Sequence, residues 1–246
     1  MINRRSFLAA TTAGMAAAAL GTLPGSAQLA EENLPLQNAS FIISDAAATP
    51  IASPAASPVP TGLRGYILGD VDAPNTLQLF ADYRCPHCRV FSQEIEPLVI
   101  EEYVQSGRMN LEFVDFTVIG VPSFEALSDD SIESVQAAEA AACAAEQNAY
   151  LAYRDWLFSG PSRTENGDFS NENLVAAAKT LGLDVDRFST SLLEGVYEQS
   201  MIDSFVLAVE RGVQGTPALI LNGSEPFYVP QDGFQGLKAI LDAELK

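Results

Sequence analysis

The sequence predicts an α/β fold: a mixed central sheet flanked by helices, with an all-helical block inserted between its strands. Three observations carry this. Short apolar or alternating segments at Tyr66–Leu68, Thr76–Ala81 and Ala218–Leu221 have the length and β-branched or aliphatic character of strands. A cysteine-bearing helical stretch follows the second strand directly and precedes the third. A long helical block, roughly Ser123 to Arg211 and Ala/Glu-rich over Ser131–Asn148, then separates the third strand from the last one.

In chain order, Tyr66–Leu68 is closed by the turn residues Gly69-Asp70 and Ala73-Pro74-Asn75. Thr76–Ala81 alternates and then runs apolar, as a buried strand does. A helix is expected from Cys85 or Pro86 to Ser106, stopped by Gly107 and kinked at Pro97. Met109–Val118 reads as the next strand, buried on both faces. Helices follow at Ser131–Asn148, Tyr150–Phe158, Asn171–Leu181, Asp186–Leu193 and Tyr197–Arg211, with Gly182 and Gly212 as stops. Ala218–Leu221, the Asn222-Gly223 turn and Phe227–Val229 read as a hairpin, and Gly233–Leu245 as a final helix.

Residues 1–27 have the pattern of an export signal rather than of a folded element. Arg4-Arg5 precedes Ser6-Phe7-Leu8 and an Ala/Gly-rich apolar run, and Gly25-Ser26-Ala27 offers a small-residue cleavage site. The Arg-Arg-Ser-Phe-Leu run resembles a twin-arginine signal, and the apolar run is short for a membrane span. The expected location is therefore the bacterial envelope or the exterior, with a membrane tether if the signal stays uncleaved. Residues 28–62 are Pro/Ala/Ser-rich and read as a spacer that cannot bury enough surface to offset chain entropy. The globular unit is expected at 63–246, with the helical insertion at about 123–211.

Composition excludes some functions. With 32 acidic against 13 basic residues, the formal charge is −19, which disfavours nucleic acid and anionic membrane surfaces. Three cysteines and one histidine are too few for a comfortable four-ligand zinc site, so no metal is expected. Two of those cysteines form Cys85-Pro86-His87-Cys88, at the point where a strand gives way to a helix. A sulfur in the first turn of a helix meets unpaired N–H groups and the positive end of the dipole, which favours the thiolate. Pro86 suits that turn because it has no N–H to leave unpaired. Cys88, one turn on, can attack a mixed disulfide at Cys85. His87 can donate a hydrogen bond or a charge to the thiolate, and Arg84 and Arg89 place positive charge on either side. Stabilising the reduced thiolate makes the corresponding disulfide a stronger oxidant. The third cysteine, Cys143, lies among alanines and reads as a small core residue.

The segment Phe80-Ala81-Asp82-Tyr83-Arg84-Cys85-Pro86-His87-Cys88-Arg89-Val90-Phe91, with Gly215-Thr216-Pro217 beyond the helical block, resembles the DsbA-like branch of the thioredoxin superfamily. The resemblance spans about Leu63 to Lys246 and implies a thioredoxin-like fold. It implies that Pro217 is cis and faces Cys85–Cys88, and that Thr216 and Pro217 bind an extended substrate chain. It also implies that a Pro-His dipeptide marks an oxidising member. One departure is Leu79, which stands where many thioredoxin-fold enzymes carry a buried acid; the nearest preceding acid is Asp82, as a relay or as a loop cap.

The function so indicated is disulfide introduction into unfolded or reduced exported proteins, with a membrane partner to reoxidise the couple. The redox-active pair Cys85–Cys88 would need no organic cofactor, and a monomer is favoured because residues 28–62 offer no dimerisation domain. A reductase or isomerase of the same fold, and a peptide-binding chaperone with dispensable cysteines, are the competing readings.

Overall fold

A computed structural model describes residues 66–119, 129–159 and 168–245, with the side chains of 129–132 left aside. The expected export signal (1–27) and spacer (28–62) lie outside the described residues. Strands β1 (Tyr66–Leu68), β2 (Thr76–Ala81), β3 (Asn110–Asp115) and β4 (Ala218–Leu221) form a four-stranded sheet in the order β1-β3-β2-β4. Only the β2–β3 pair is parallel, with Leu77 opposite Leu111 and Ala81 opposite Asp115. It is the pair joined by a helical crossover, which is what a parallel neighbour needs. β1 on β3 and β4 on β2 are antiparallel.

The crossover is one long helical run of four segments. Helix α1 (Pro86–Val90) passes into a π-type segment (Phe91–Ile95), then α2 (Glu96–Val99), then a second π-type segment (Ile100–Val104). The kink expected at Pro97 takes the form of these wide turns: Pro97 has no N–H, and the Glu96 N–H reaches back to the Phe91 carbonyl. The run ends at Gly107, whose φ of 70° allows Gly107 and Arg108 to donate back to the carbonyls of Val104 and Tyr103. Strand β3 is shorter than the Met109–Val118 expected, because beyond Asp115 the backbone leaves the ladder: the amides of Val118 and Ile119 donate to the Asp82 carboxylate instead.

The insertion comprises α3 (Asp129–Ala145), α4 (Tyr150–Ser159), α5 (Asn171–Thr180), α6 (Val185–Glu194) and α7 (Glu198–Glu210). Ser170 caps α5 by accepting the Asn173 N–H, and Asp184 caps α6 by accepting that of Arg187. The buried alanines 137, 138, 140, 141 and 144 of α3 let neighbouring helices approach closely, and Cys143 is buried among them. The sheet thereby acquires two covered faces. One carries Leu77, Leu79, Leu111 and Leu219 against the crossover helix, the insertion and the final helix α8 (Phe234–Glu244). The other carries Phe80, Val114 and Ile220 against Leu207 and Ala208 of α7.

The expected second hairpin strand at Phe227–Val229 is corrected to a single bridge, Leu219 opposite Phe227, whose amides and carbonyls exchange both bonds. Extending that ladder would oppose Val229 to Pro217, which has no N–H to give. In the other direction the turn closes at once, with Ser224 donating to the Leu221 carbonyl.

Candidate redox site

Cys85 is the residue that caps α1. Its backbone is extended (φ −75°, ψ 119°), and its carbonyl accepts the first helical bond, from the Arg89 N–H at 3.1 Å. Pro86 occupies the first turn, where its missing N–H costs nothing. The amides of His87 and Cys88 are then left facing the Cys85 sulfur. Both cysteines are buried and in the free thiol form.

The two sulfurs are driven apart in acidity. A hydrogen bond from the Cys88 thiol is the largest cause that brings Cys85 down to about 5; burial opposes it, and the Thr216 side chain and the amides of Cys88 and His87 add to it. Burial, foremost, pushes Cys88 far above the ordinary thiol range, and its hydrogen bond to Cys85 pushes the same way. Cys85 is thus the thiolate at neutral pH and Cys88 its proton-bearing partner.

Across the site, the Thr216–Pro217 peptide bond is cis, and the Cys85 sulfur lies 3.3 Å from the Thr216 carbonyl, to which it donates in its thiol form. Beside the pair opens a cleft of about 590 Å³, lined by His87, Phe91 and Ile95 from the crossover helix, Thr216 and Pro217, and Tyr228 from the segment after β4. The helix and the chain around Pro217 therefore form its two walls. Tyr228 is largely exposed, so the cleft has an open apolar rim.

The residues flanking the motif are placed differently from what charge counting suggests. His87 is exposed on the cleft wall, and its backbone amide is what the structure turns towards the Cys85 sulfur. Arg89 is half-buried one turn along the helix. Arg84, expected to lend positive charge beside the thiolate, turns inward instead: it is 6% exposed and approaches Glu133 of α3 at 4.0 Å. An acid beside a buried guanidinium offsets its charge, so Arg84 is an anchor of the loop rather than a free cation near the sulfur.

Asp82 is a loop cap by geometry. One carboxylate oxygen accepts from the Arg84 amide (2.8 Å) and the Ser134 hydroxyl (3.0 Å), the other from the amides of Val118 and Ile119 (2.9 Å each). Its own carbonyl takes the Cys85 N–H at 3.0 Å. Complete burial nonetheless raises the carboxyl above the usual range, with the four donors pulling the other way. The relay role considered for Asp82 finds its carboxylate fully engaged by the loop and by α3. Leu79 is part of the core.

Sequence reasoning missed the polar layer beneath the loop. Tyr83 is buried, its hydroxyl 3.4 Å from that of Tyr150 and its ring against Phe158. Tyr83 also donates to Asp115, which burial raises to about 7 against that bond and the charge of Arg154. Arg154 of α4 donates to Glu96 (2.7 Å) and Ser92 (3.1 Å) of the crossover helix and lies over the rings of Phe113 and Phe158. A signal for α3 was present: Glu133 and Ser134 fall at helical spacing from the core alanines 137, 140, 141 and 144, which places polar groups on a buried face.

The chain matches the thioredoxin family model over residues 62–243. The chain belongs to the thioredoxin family. Among curated proteins it is 26% identical, over 73% of its own length and 77% of theirs, to the "Probable disulfide bond formation protein D" of Bacillus anthracis. The oxidised crystal structure of BdbD from Bacillus subtilis superposes with a TM-score of 0.63 at 21% identity, covering 77% of this chain and 96% of that one. DsbA of Chlamydia trachomatis superposes with a TM-score of 0.60 at 18% identity, covering 72% and 89%. Within the family the chain is similar in sequence to a disulfide bond formation protein and in fold to DsbA, with a mixed four-stranded sheet and a helical insertion.

Proposed function

We propose that the protein works as an exported dithiol oxidase, introducing disulfides into secreted or envelope proteins through Cys85 and Cys88. The observation that carries this reading is the split between the two sulfurs: Cys85 brought down to about 5, Cys88 raised well above an ordinary thiol. A thiolate so stabilised is a good leaving group, and the form that contains it, the reduced one, is favoured over the disulfide.

In the oxidised enzyme a thiolate of a reduced substrate attacks the Cys85 sulfur. The Cys85–Cys88 bond breaks, a mixed disulfide forms, and Cys88 leaves with the electron pair and takes up a proton. A second substrate thiolate then attacks the substrate sulfur of the mixed disulfide and expels Cys85 as thiolate. Two substrate thiols become one disulfide, the enzyme holds the two electrons as a dithiol, and the substrate's two protons go to Cys88 and solvent. Because Cys88 holds its proton tightly, it is a poor nucleophile for the reverse attack on the mixed disulfide, which leaves time for the second substrate thiol.

As a thiolate or in a disulfide, Cys85 has no proton to donate to the Thr216 carbonyl, and that acceptor is open to an N–H of an extended substrate chain. The cleft beside it, where Phe91, Ile95 and Tyr228 stand among polar residues such as His87 and Glu94, suits the mixed side chains of an unfolded polypeptide. The sulfur couple carries the electrons itself, so the reading calls for no organic cofactor or metal. It does call for a membrane partner that removes two electrons from Cys85 and Cys88. Export rests on the twin-arginine-like run and the spacer at 28–62. Among the described residues no helix is long and apolar enough to cross a membrane.

The test is the equilibrium of the Cys85–Cys88 couple in glutathione buffers, followed by oxidation of a reduced, unfolded substrate. A potential at or above that of glutathione, with oxidation abolished in Cys85→Ser, is expected. A potential near that of thioredoxin would overturn the oxidase in favour of a reductase, and activity surviving in Cys85→Ser would point to a chaperone.

A further inference from the structure

Three consecutive side chains before the nucleophile, Asp82, Tyr83 and Arg84, are all buried, and each is fastened to the helical insertion. Asp82 receives the Ser134 hydroxyl of α3, Arg84 approaches the neighbouring Glu133, and Tyr83 meets Tyr150 of α4. Asp82 is the member of this trio that touches both cysteines through its backbone. Its carbonyl accepts the Cys85 N–H, and its amide donates to the Cys88 sulfur. Of the four donors that hold its carboxylate, three are backbone amides from the loop itself and from the segment after β3. The fourth, Ser134, is a side chain, fully buried in a helix whose other buried positions are mostly alanine.

A hydroxyl is out of place in that alanine face unless its hydrogen bond is needed. Alanine there would be the better helix former and would pack as well. The bond it makes fixes the Asp82 carboxylate from the insertion side, and Asp82 in turn fixes where the loop delivers Cys85 into the first turn of α1. The Cys85 thiolate is held first by the Cys88 thiol one turn on, then by the Thr216 side chain and the amides of Cys88 and His87; the thiol and the amides belong to that turn, and their aim depends on how the loop enters the helix.

We propose that Ser134 is a positioning residue for the redox couple: acting through Asp82, it makes α3 of the insertion set how strongly the Cys85 thiolate is stabilised. The inference rests on the reading of Cys85 and Cys88 as the redox couple. The insertion is then a part of the redox device as well as packing for the sheet.

The experiment compares full-length wild type, Ser134→Ala and Ser134→Thr. Three quantities are read: the pH titration of the Cys85 thiolate by its ultraviolet absorbance, the glutathione equilibrium, and the melting temperatures of the oxidised and reduced forms. Ser134→Ala is expected to raise the Cys85 midpoint by about one pH unit and to shift the glutathione equilibrium about tenfold towards the disulfide, one unit corresponding to tenfold. The gap between the two melting temperatures should change in step, since a potential is a difference in stability between the two forms. Ser134→Thr keeps the hydroxyl and should titrate as wild type.

A serine that merely stabilises the fold would lower both melting temperatures alike and leave titration and equilibrium within twofold of wild type; that result overturns the proposal. So would a shift in Ser134→Ala that threonine does not reverse. Should the alanine variant not fold, a wild-type titration midpoint in Ser134→Val, shaped like threonine without its hydroxyl, would overturn it equally. The failure of the underlying reading looks different: wild type itself would then show no reversible exchange with glutathione.

Discussion

Two regions meet at Cys85 and are built from opposite materials. Under the sheet, between β2, β3 and β4, the core is aliphatic: Leu77, Leu79, Leu111, Leu219 and Leu221 stack in register with nothing to hydrogen-bond. Between the loop after β2, with the crossover helix it leads into, and the inserted helices lies a set of buried polar contacts: Asp82 with Ser134, Arg84 with Glu133, Arg154 with Glu96 and Ser92, Tyr83 with Tyr150. Aliphatic packing rewards burial without fixing direction, and it tolerates small shifts. Buried hydrogen bonds and ion pairs contribute less net energy but penalise any misplacement. The sheet thus supplies stability, and the polar seam supplies the orientation on which a thiolate held by hydrogen bonds depends.

The largest effect that could break this comparison is a pH dependence confined to one redox state. In the reduced protein Cys85 has a folded value of about 5 against 9.0 for an ordinary thiol. A depressed folded value contributes stability that is complete above the unfolded value and lost as pH falls through the folded one. Reduced protein should therefore gain on oxidised protein from pH 5 to pH 8.5, approaching roughly 5 kcal/mol at the upper end at about 1.36 kcal/mol per unit. Asp115, raised to about 7, makes both forms lose stability as pH rises from about 4 to 7, so it cancels in the difference. The measurement is the gap between urea midpoints of the two forms against pH. A flat gap would mean that the site does not hold Cys85 as a thiolate, and that the seam has no thiolate to orient.

Next in size is the seam's own anchor. Arg154 is 1% exposed and bridges α4 to the crossover helix that carries the cysteines. Arg154→Ala leaves Glu96 buried without its partner and should cost about 3–5 kcal/mol in urea unfolding. Replacing both, Arg154→Met with Glu96→Leu, should recover most of that loss, because an apolar pair of similar volume avoids the desolvation penalty. A double variant as unstable as the single one would show that the ion pair itself holds the seam together.

Leu79→Ala is the counterpart on the sheet side. Leu79 is buried against Phe113 and Leu219 across both neighbouring strands. Deleting its side chain should cost about 3 kcal/mol. The glutathione equilibrium of Cys85–Cys88 should stay within twofold of wild type, since both redox forms lose the same packing. A large change in the equilibrium would erase the distinction between the two regions.

The sheet half was the legible one, and the reason is physical. Strand β2 at Thr76–Ala81 and strand β4 at Ala218–Leu221 are visible as local apolar patterns, because burying a strand demands residue types that show in a short window. Cys85, Pro86 and Cys88 were legible for a similar reason: the spacing and the helix start lie in one stretch of chain. Thr216-Pro217 came through resemblance. The seam was not legible, because its pairs join positions far apart. Arg84 reads from sequence as an exposed helix-start cation, and only the arrival of Glu133 turns it inward. Asp82 was ambiguous for the same reason, since its carboxylate is satisfied by Ser134 and by the amides of Val118 and Ile119. The missing hairpin strand was legible in principle, in the absent N–H of Pro217 opposite Val229.

The smallest effect tests the far wall of the site. Thr216 contributes to Cys85 from the strand side, with a side-chain hydrogen bond to the sulfur that assists the amides of His87 and Cys88. Among the described residues it is a side-chain donor to the thiolate from outside both the seam and the cysteine motif. Thr216→Val keeps the shape and removes the hydroxyl, so the Cys85 midpoint should rise by up to one unit from about 5, the worth of one modest hydrogen bond to a charged group. The same bond also favours ionisation of Cys88, but burial holds that thiol protonated in either case. The glutathione equilibrium should move towards the disulfide by the same factor, up to about tenfold. If Thr216→Val and Ser134→Ala are combined, their shifts should add, because one acts on the sulfur directly and the other through the entry of the loop. A combined shift no larger than either alone would mean that loop entry and the Thr216 bond are one adjustment, and that the sheet side shares in the orientation assigned here to the seam.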